Sequence, residues 1–153
     1  MGDVLFYHLT ASPLEATLPM LLSKARQAGW RVVVRGTSPE RMAWLDERLW
    51  LGGDESFLAH GLAGGEFDAD QPVLLTTGAE IPNRAECLMA VDGAGVSAQE
   101  AEALARVCIL FDGNDPQAVE AARAQWKALT GAGLKAQYWA QREGRWHKQA
   151  ESA

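Results

Sequence analysis

The chain has 153 residues and a mass of 16.6 kDa; 48% of its residues are hydrophobic, 22% are charged, and its formal net charge is −6. These values fit one soluble domain with a full core, which we place at residues 1–150 with a short tail at 151–153. A continuous apolar run of about 18 residues and a signal-peptide pattern are both missing from the sequence, so we expect a cytoplasmic protein without membrane contact.

Charge is divided unevenly along the chain. Residues 1–120 contain 8 Lys/Arg and 18 Asp/Glu, a balance of −10, whereas residues 121–153 contain 6 and 2, a balance of +4. A basic C-terminal segment on an acidic domain predicts a local site for an anionic partner, with a solvated tail as the alternative. Because the acidic remainder should repel nucleic acid, we expect no direct DNA binding.

The first half of the chain predicts strands alternating with helices. Residues 4–9 form a short apolar run typical of a buried strand, and Ser12 is a predicted cap for the helix that follows. Pro19 within that helix predicts a kink or a later start. Residues 31–35 are β-branched and predict a second strand, and residues 39–50 show the spacing of an amphipathic helix.

The second half continues the same pattern after a loop rich in glycine and acidic residues at 51–71. The remaining predicted elements are, in chain order, strands at 72–77 and 86–91, a short helix at 97–105, a strand at 106–112, a long helix capped by Asn114 and Pro116, and a closing hairpin at 134–140 and 145–148. The predicted fold class is therefore α/β: a single Rossmann-like three-layer domain with a mainly parallel central sheet and a C-terminal edge hairpin.

Motifs for phosphate, metal or nucleophilic chemistry are missing from the sequence. The pattern GxxxxGK[ST] is absent, and the turn after the first strand, TASPLE, has no glycine. We therefore predict no nucleotide site, no cofactor and no catalytic residue. His8, His60 and His147 are too dispersed to predict a metal site, and His8 is expected to be a satisfied core residue. Cys87 and Cys108 lie in apolar runs and are expected to be buried, reduced thiols.

Aromatic residues near basic ones are the most informative feature, because the chain has six tryptophans. Arg123, Trp126 and Lys127 are three or four residues apart and should adjoin on one helix face. An arginine beside an exposed ring can hold a carboxylate while the ring packs an apolar side chain, as recognition of an acidic peptide end requires. The alternative is that Trp126 faces the core and its neighbours point to solvent.

The chain resembles the chi subunit family of bacterial DNA polymerase III from end to end. The resemblance is carried by FYHL in the first strand, by LDERLW at 45–50, by ESFLAHGLAG at 55–64, and by LFD followed by ARAQWK at 122–127. It implies a Rossmann-like domain without a nucleotide and without catalysis of its own. It also implies a place in the clamp-loader part of the replicase and binding to the acidic C-terminal tail of single-stranded-DNA-binding protein.

The resemblance further implies a set of partner-tail-binding residues, namely Trp50, Phe57, Arg123, Trp126, Lys127 and Tyr138. In this set Arg123 would pair with the terminal carboxylate of the tail, and Trp50 and Phe57 would wall the apolar pocket. Some relatives carry a second basic residue and a tyrosine where this chain has Gln125 and Trp126. Residues 78–96 depart from the family's pattern, so contacts with a psi subunit, which tethers chi to the clamp loader in many bacteria, are not assigned.

Two other functions stay open at the level of sequence. One is a small Rossmann-like hydrolase acting on a nucleotide or phosphoester, with its chemistry in the loop at 51–71. The other is binding of single-stranded nucleic acid by the C-terminal aromatic and basic residues, since stacking on aromatic rings tolerates any base. The balance of −10 in residues 1–120 argues against the second.

Overall fold

Strands and helices alternate in the computed structural model, which describes residues 3–10, 13–50, 60–66, 68–142 and 145–152, with the backbone alone at Trp50 and Arg142. The strands are β1 (Asp3–Leu9), β2 (Val32–Arg35), β3 (Gly61–Leu62), β4 (Val73–Thr76), β5 (Cys87–Ala90), β6 (Arg106–Asp112), β7 (Lys135–Arg142) and β8 (Arg145–Glu151). The helices are α1 (Leu14–Gln27), α2 (Pro39–Trp50), α3 (Ala98–Ala103) and α4 (Pro116–Gly131), with a short 3-10 helix at Asp68–Asp70. Among the described residues, each helix is too short or too polar to cross a membrane.

A single eight-stranded sheet has the order β3-β4-β2-β5-β6-β1-β7-β8. All neighbouring strands pair in parallel except β7 and β8, which form an antiparallel hairpin at one edge. The prediction of a mainly parallel α/β sheet with a C-terminal edge hairpin is confirmed. Strand β1 lies between β6 and β7, so the first strand of the chain is paired with the C-terminal hairpin.

Two hydrophobic clusters cover the two faces of the sheet. Leucines of α1 and α2 pack with Leu5 and Leu9 of β1 on one face, whereas α3 and α4 pack with Val4 and Phe6 on the other. This alternation follows from the two-residue repeat of a strand, which sends successive side chains to opposite faces. The inner strands β2, β4, β5 and β6 are almost continuously apolar because helices cover both faces of the sheet there, whereas the hairpin strands β7 and β8 contain more polar residues.

The helix starts differ in detail from the sequence prediction. Helix α1 has Pro13 as its N-cap without a side-chain cap, and it continues through Pro19; the predicted cap Ser12 lies outside the described residues. Helix α4 is capped by Asp115, whose Oδ1 accepts a hydrogen bond from the N–H of Gln117 at 3.0 Å. The prediction that Asn114 caps α4 was wrong, because Asp115 directly precedes the proline that begins the helix.

Short and terminal elements were the hardest to predict. Strand β3 has two residues and lies within the segment that was predicted to be a loop. The glycine content of this segment is typical of loops, so the sequence did not indicate a strand. Strand β8 extends to Glu151, and the backbone N–H of Ser152 donates to the Ala136 carbonyl at 2.8 Å. The sheet therefore continues three residues beyond the hairpin strand predicted at 145–148. The expectation of buried, reduced thiols is confirmed, because Cys87 and Cys108 are free and buried.

A buried arginine at the end of β2 ties two loops and helix α3 together. Arg35 is 5% exposed and donates to both carboxylate oxygens of Glu100 on α3, each at 2.7 Å. Its guanidinium also donates to the carbonyls of Gly78, Ala79 and Gly95. These hydrogen bonds satisfy a charge that burial would otherwise destabilise, and they hold the pKa of Glu100 below its ordinary value.

Candidate functional site

Helix α4 carries the basic and aromatic residues singled out from the sequence. Arg123, Trp126 and Lys127 share one side of the helix, as their spacing predicts. Arg123 and Lys127 are exposed, whereas Trp126 is half-buried. Ala122 and Leu129 of the same helix are buried in the core and fix its orientation. This segment therefore presents two cations to solvent beside a ring that is partly accessible, and we call it the basic surface of α4.

Trp126 packs against the sheet. Its ring centroid lies 5.4 Å from that of Phe6, in an edge-to-face arrangement, and 6.2 Å from that of Tyr138. Trp126 thus contacts the core, as the alternative interpretation of the sequence held, while part of its ring stays exposed beside the two cations. Edge-to-face pairs contribute about 0.5–1.5 kcal/mol beyond their buried area, so the ring is held in a fixed place.

Five rings form an aromatic cluster under the basic surface, consisting of Phe6, His8, Phe111, Trp126 and Tyr138. Strand register creates this cluster, because Phe6 of β1 pairs with Tyr138 of β7 and His8 pairs with Phe111 of β6. Sequence reasoning identified Trp126 and Tyr138 but not Phe6 and Phe111. The available signal was the two rings at alternate positions of β1, which a strand must place on one face.

Tyr138 forms a hydrogen bond with His8 and is half-buried. Its hydroxyl lies 2.6 Å from Nδ1 of His8, so His8 is satisfied as expected, although it is half-buried rather than fully buried. Burial raises the pKa of Tyr138, and the positive charge of Arg123 acts in the opposite direction.

The turn after β6 packs directly against the cluster. The N–H of Gly113 donates to the Leu9 carbonyl at 2.6 Å, and a Cβ at position 113 would overlap the His8 ring. Glycine is therefore required here for close approach, and a side chain would displace His8 from Tyr138.

Gln125, at a position where some relatives carry a second basic residue, has a structural role on a different side of α4. Its side-chain amide donates to the Val96 carbonyl at 2.7 Å, and its carbonyl oxygen accepts from the Val96 N–H at 3.3 Å. This pair of hydrogen bonds ties α4 to the segment before α3. A basic residue at position 125 would therefore lie on a different side of α4 from Arg123.

Trp50 is the last residue of α2, whose Met42, Leu45 and Leu49 pack on the sheet face opposite the one that α4 covers. The side chain of Trp50 and all of Phe57 lie outside the described residues. Of the six residues implied by the resemblance, the structure brings together Arg123, Trp126, Lys127 and Tyr138, the last of which neighbours Trp126 on the sheet.

His60 lies against helix α2. Its ring is buried, and its Nε2 lies 3.1 Å from the backbone oxygen and 3.2 Å from Oδ1 of Asp46 on α2. In the part of the chain that the structure describes, His, Cys, Asp and Glu residues form no group of three that could hold a metal ion.

Comparison with models of known protein families gives a match over most of the chain. The family model described as DNA polymerase III chi subunit, HolC, matches residues 1–137 of the chain. The matched segment contains the whole of α4 and ends one residue before Tyr138. A search of curated proteins found no match.

Proposed function

The chain belongs to the DNA polymerase III chi subunit family, whose members are accessory subunits of the replicase; from this premise we propose that it binds the acidic C-terminal tail of single-stranded-DNA-binding protein. The binding site in this proposal is the basic surface of α4 with the adjoining Tyr138. By holding that tail, the protein would link the clamp loader to the single-stranded DNA of the lagging strand, as a cytoplasmic adaptor without catalysis of its own.

The observation that carries the proposal is the position of Arg123 and Lys127 beside the half-buried Trp126. A tail that ends in an apolar residue presents a terminal carboxylate next to a hydrophobic side chain. Arg123 supplies a charge-assisted hydrogen bond to the carboxylate, worth about 1.5–3 kcal/mol, and the exposed edge of Trp126 supplies apolar contact. The acidic residues of the tail add attraction to Lys127, which salt weakens.

Trp126 and Tyr138 supply the part of the apolar wall that lies within the described residues, and the resemblance adds Trp50 and Phe57. Trp126 and Tyr138 contact each other and pack on the sheet face that α4 covers. The aromatic cluster also holds the two rings rigidly, and a preformed wall reduces the entropy lost on binding.

The experiment is a calorimetric titration with a short synthetic peptide that has several aspartates and a free C-terminal phenylalanine. We expect Arg123→Ala to weaken binding by about tenfold or more, as loss of one charge-assisted hydrogen bond implies. Arg26→Ala is the matched control, because Arg26 is an exposed arginine near the end of α1 on the opposite face. Equal affinities for wild type and Arg123→Ala would overturn the proposal.

A further inference from the structure

A second surface lies on the other flank of α4. It is a cleft of about 900 Å³ at the carboxyl ends of β1, β5 and β6, between the first turns of α1 and α4. In α/β sheets the carboxyl ends of the strands are the usual place for ligands. The volume lies within the range typical of binding clefts, about 300–1,000 Å³.

The cleft combines an apolar floor with an acidic rim. Its floor is formed by aliphatic and aromatic side chains of the strand ends and by alanines of α4, namely Leu9, Ala90, Ile109, Phe111, Ala118 and Ala122. Its rim carries four carboxylates, those of Glu15, Asp92, Asp112 and Asp115. Among the described residues that line it, Arg41 is the one cation, and its Nε donates to Asp92 at 3.1 Å.

These charges select a cationic ligand over a phosphate. The lining residues carry a net charge of −3 when Arg41 is set against the four carboxylates. The N-terminus of α4, which could otherwise attract a phosphate, is occupied by the Asp115 carboxylate, and Asp112 accepts from the Asn114 N–H at 2.9 Å. Lysine and arginine side chains match the cleft, because their aliphatic stems can cover the floor while the charged ends reach the rim.

We propose that this cleft binds a lysine- or arginine-rich segment of a partner protein. Charge complementarity identifies the segment, and membership of a family of replicase subunits makes another protein the expected partner. The site is separate from the proposed tail site: Ala118, Ala121 and Gln125 of α4 line the cleft, whereas Arg123 does not. One helix would then bind partners of opposite charge on its two flanks.

Fluorescence anisotropy with a labelled peptide of alanine, leucine and several lysines tests the proposal. Two variants address the cleft: Glu15→Gln with Asp112→Asn removes two rim charges, and Ala121→Trp fills the opening with a side chain. Each has a matched control on the exposed side of α4, Glu120→Gln for charge and Ala124→Trp for bulk, since neither residue lines the cleft. Circular dichroism melts of all four variants verify that they fold.

We expect either cleft variant to weaken binding of the lysine peptide by about tenfold, and the controls and Arg123→Ala to leave it within about twofold. A peptide with glutamates in place of the lysines should not bind. Equal effects of the cleft and control variants would overturn the proposal, as would tight binding of the glutamate peptide. Displacement of the lysine peptide by spermidine at equal charge concentration would also overturn it, because the ligand would then be a free polyamine. Retained acidic-tail binding in the cleft variants would separate this site from the proposed tail site.

Discussion

The two flanks of α4 differ in charge, in construction and in the partner that each would accept. One flank exposes Arg123 and Lys127 beside Trp126, and the other borders a cleft with four carboxylates at its rim. The net charge of −6 describes neither flank. An acidic protein can thus present cations locally, because Arg123 and Lys127 lie on one flank of α4 and the four carboxylates of the cleft adjoin the other.

The two flanks are also supported by different parts of the molecule. The basic surface rests on the aromatic cluster, which β1 and β7 position by strand pairing. One wall of the cleft is formed by Asp92, Gly93 and Ala94 after β5, and the neighbouring Gly95 carbonyl accepts a hydrogen bond from Arg35. Phe111 belongs both to the aromatic cluster and to the floor of the cleft, whereas Trp126 and Arg35 each belong to one support. Substitution of Trp126 or Arg35 should therefore change mainly one surface.

The largest effect is expected for Arg35→Ala. Removal of one partner from a buried ion pair typically costs about 3–5 kcal/mol of unfolding free energy, and here the carbonyls of Gly78, Ala79 and Gly95 lose a donor as well. Because Glu100 keeps some solvent contact, we expect about 3 kcal/mol, measured by urea denaturation. Lys148→Ala is the control, since the Lys148–Glu151 pair is exposed to solvent and should contribute little to the unfolding free energy. Similar losses of unfolding free energy in the two variants would contradict the conclusion that Arg35 stabilises the fold by tying these loops to α3.

Trp126→Ala should have the next largest effect. Truncation of a buried tryptophan costs about 3–5 kcal/mol; because Trp126 is only half-buried, we expect about 2 kcal/mol. The same variant should lose acidic-tail binding but keep binding of the lysine peptide. Urea denaturation and the two peptide titrations measure these outcomes. An unchanged unfolding free energy would contradict this account, because it would show that the contacts of Trp126 with Phe6 and Tyr138 do not stabilise the fold.

Tyr138→Phe should have a smaller effect that separates the hydroxyl from the ring. The substitution removes the hydrogen bond to His8 and preserves the packing against Trp126, so we expect a loss of about 1 kcal/mol. Acidic-tail affinity should fall less than in Trp126→Ala. A greater loss of affinity in Tyr138→Phe than in Trp126→Ala would mean that the hydroxyl itself contacts the tail.

The smallest effect concerns acid sensitivity. The Arg35 guanidinium lowers the pKa of Glu100 in the folded protein, so this carboxylate contributes stability above its unfolded pKa, close to 4.5. That contribution is lost as the pH falls below 4.5 through the depressed folded value. Glu100→Gln should therefore destabilise the protein at pH 7 and reduce the fall in unfolding free energy on acidification. Parallel pH profiles of wild type and variant would contradict this assignment.

Sequence patterns predicted the elements that local repeats define. Strand β6 was predicted with its observed bounds, because residues 107–111 form a continuous apolar run between the charged Arg106 and Asp112. The neighbourhood of Arg123, Trp126 and Lys127 followed from helical spacing alone. Strand β3 was missed because two residues in a glycine-rich segment carry no detectable period, and their pairing with β4 depends on distant sequence.

The parts of the site that depend on topology could not be predicted from local patterns. Whether α2 and α4 share a sheet face is set by the side on which each crossover passes, so the placement of these two helices on opposite faces appeared only in the structure. The cleft is likewise formed by the ends of β1, β5 and β6, which adjoin in the sheet although other elements separate them in the chain. Long-range strand order therefore determines the cleft beside α4, whereas helical spacing determines the basic surface of α4.

The most direct test of the central claim is a double-mutant cycle between Arg123 and the terminal carboxylate of the acidic peptide. Calorimetry would compare wild type and Arg123→Ala, each with a peptide ending in a free carboxylate and with the same peptide ending in an amide. If Arg123 pairs with that carboxylate, each single change should weaken binding, and the two should share a coupling energy of about 1.5 kcal/mol or more. Strictly additive effects would contradict the account, because they would show that Arg123 and the end of the tail do not meet.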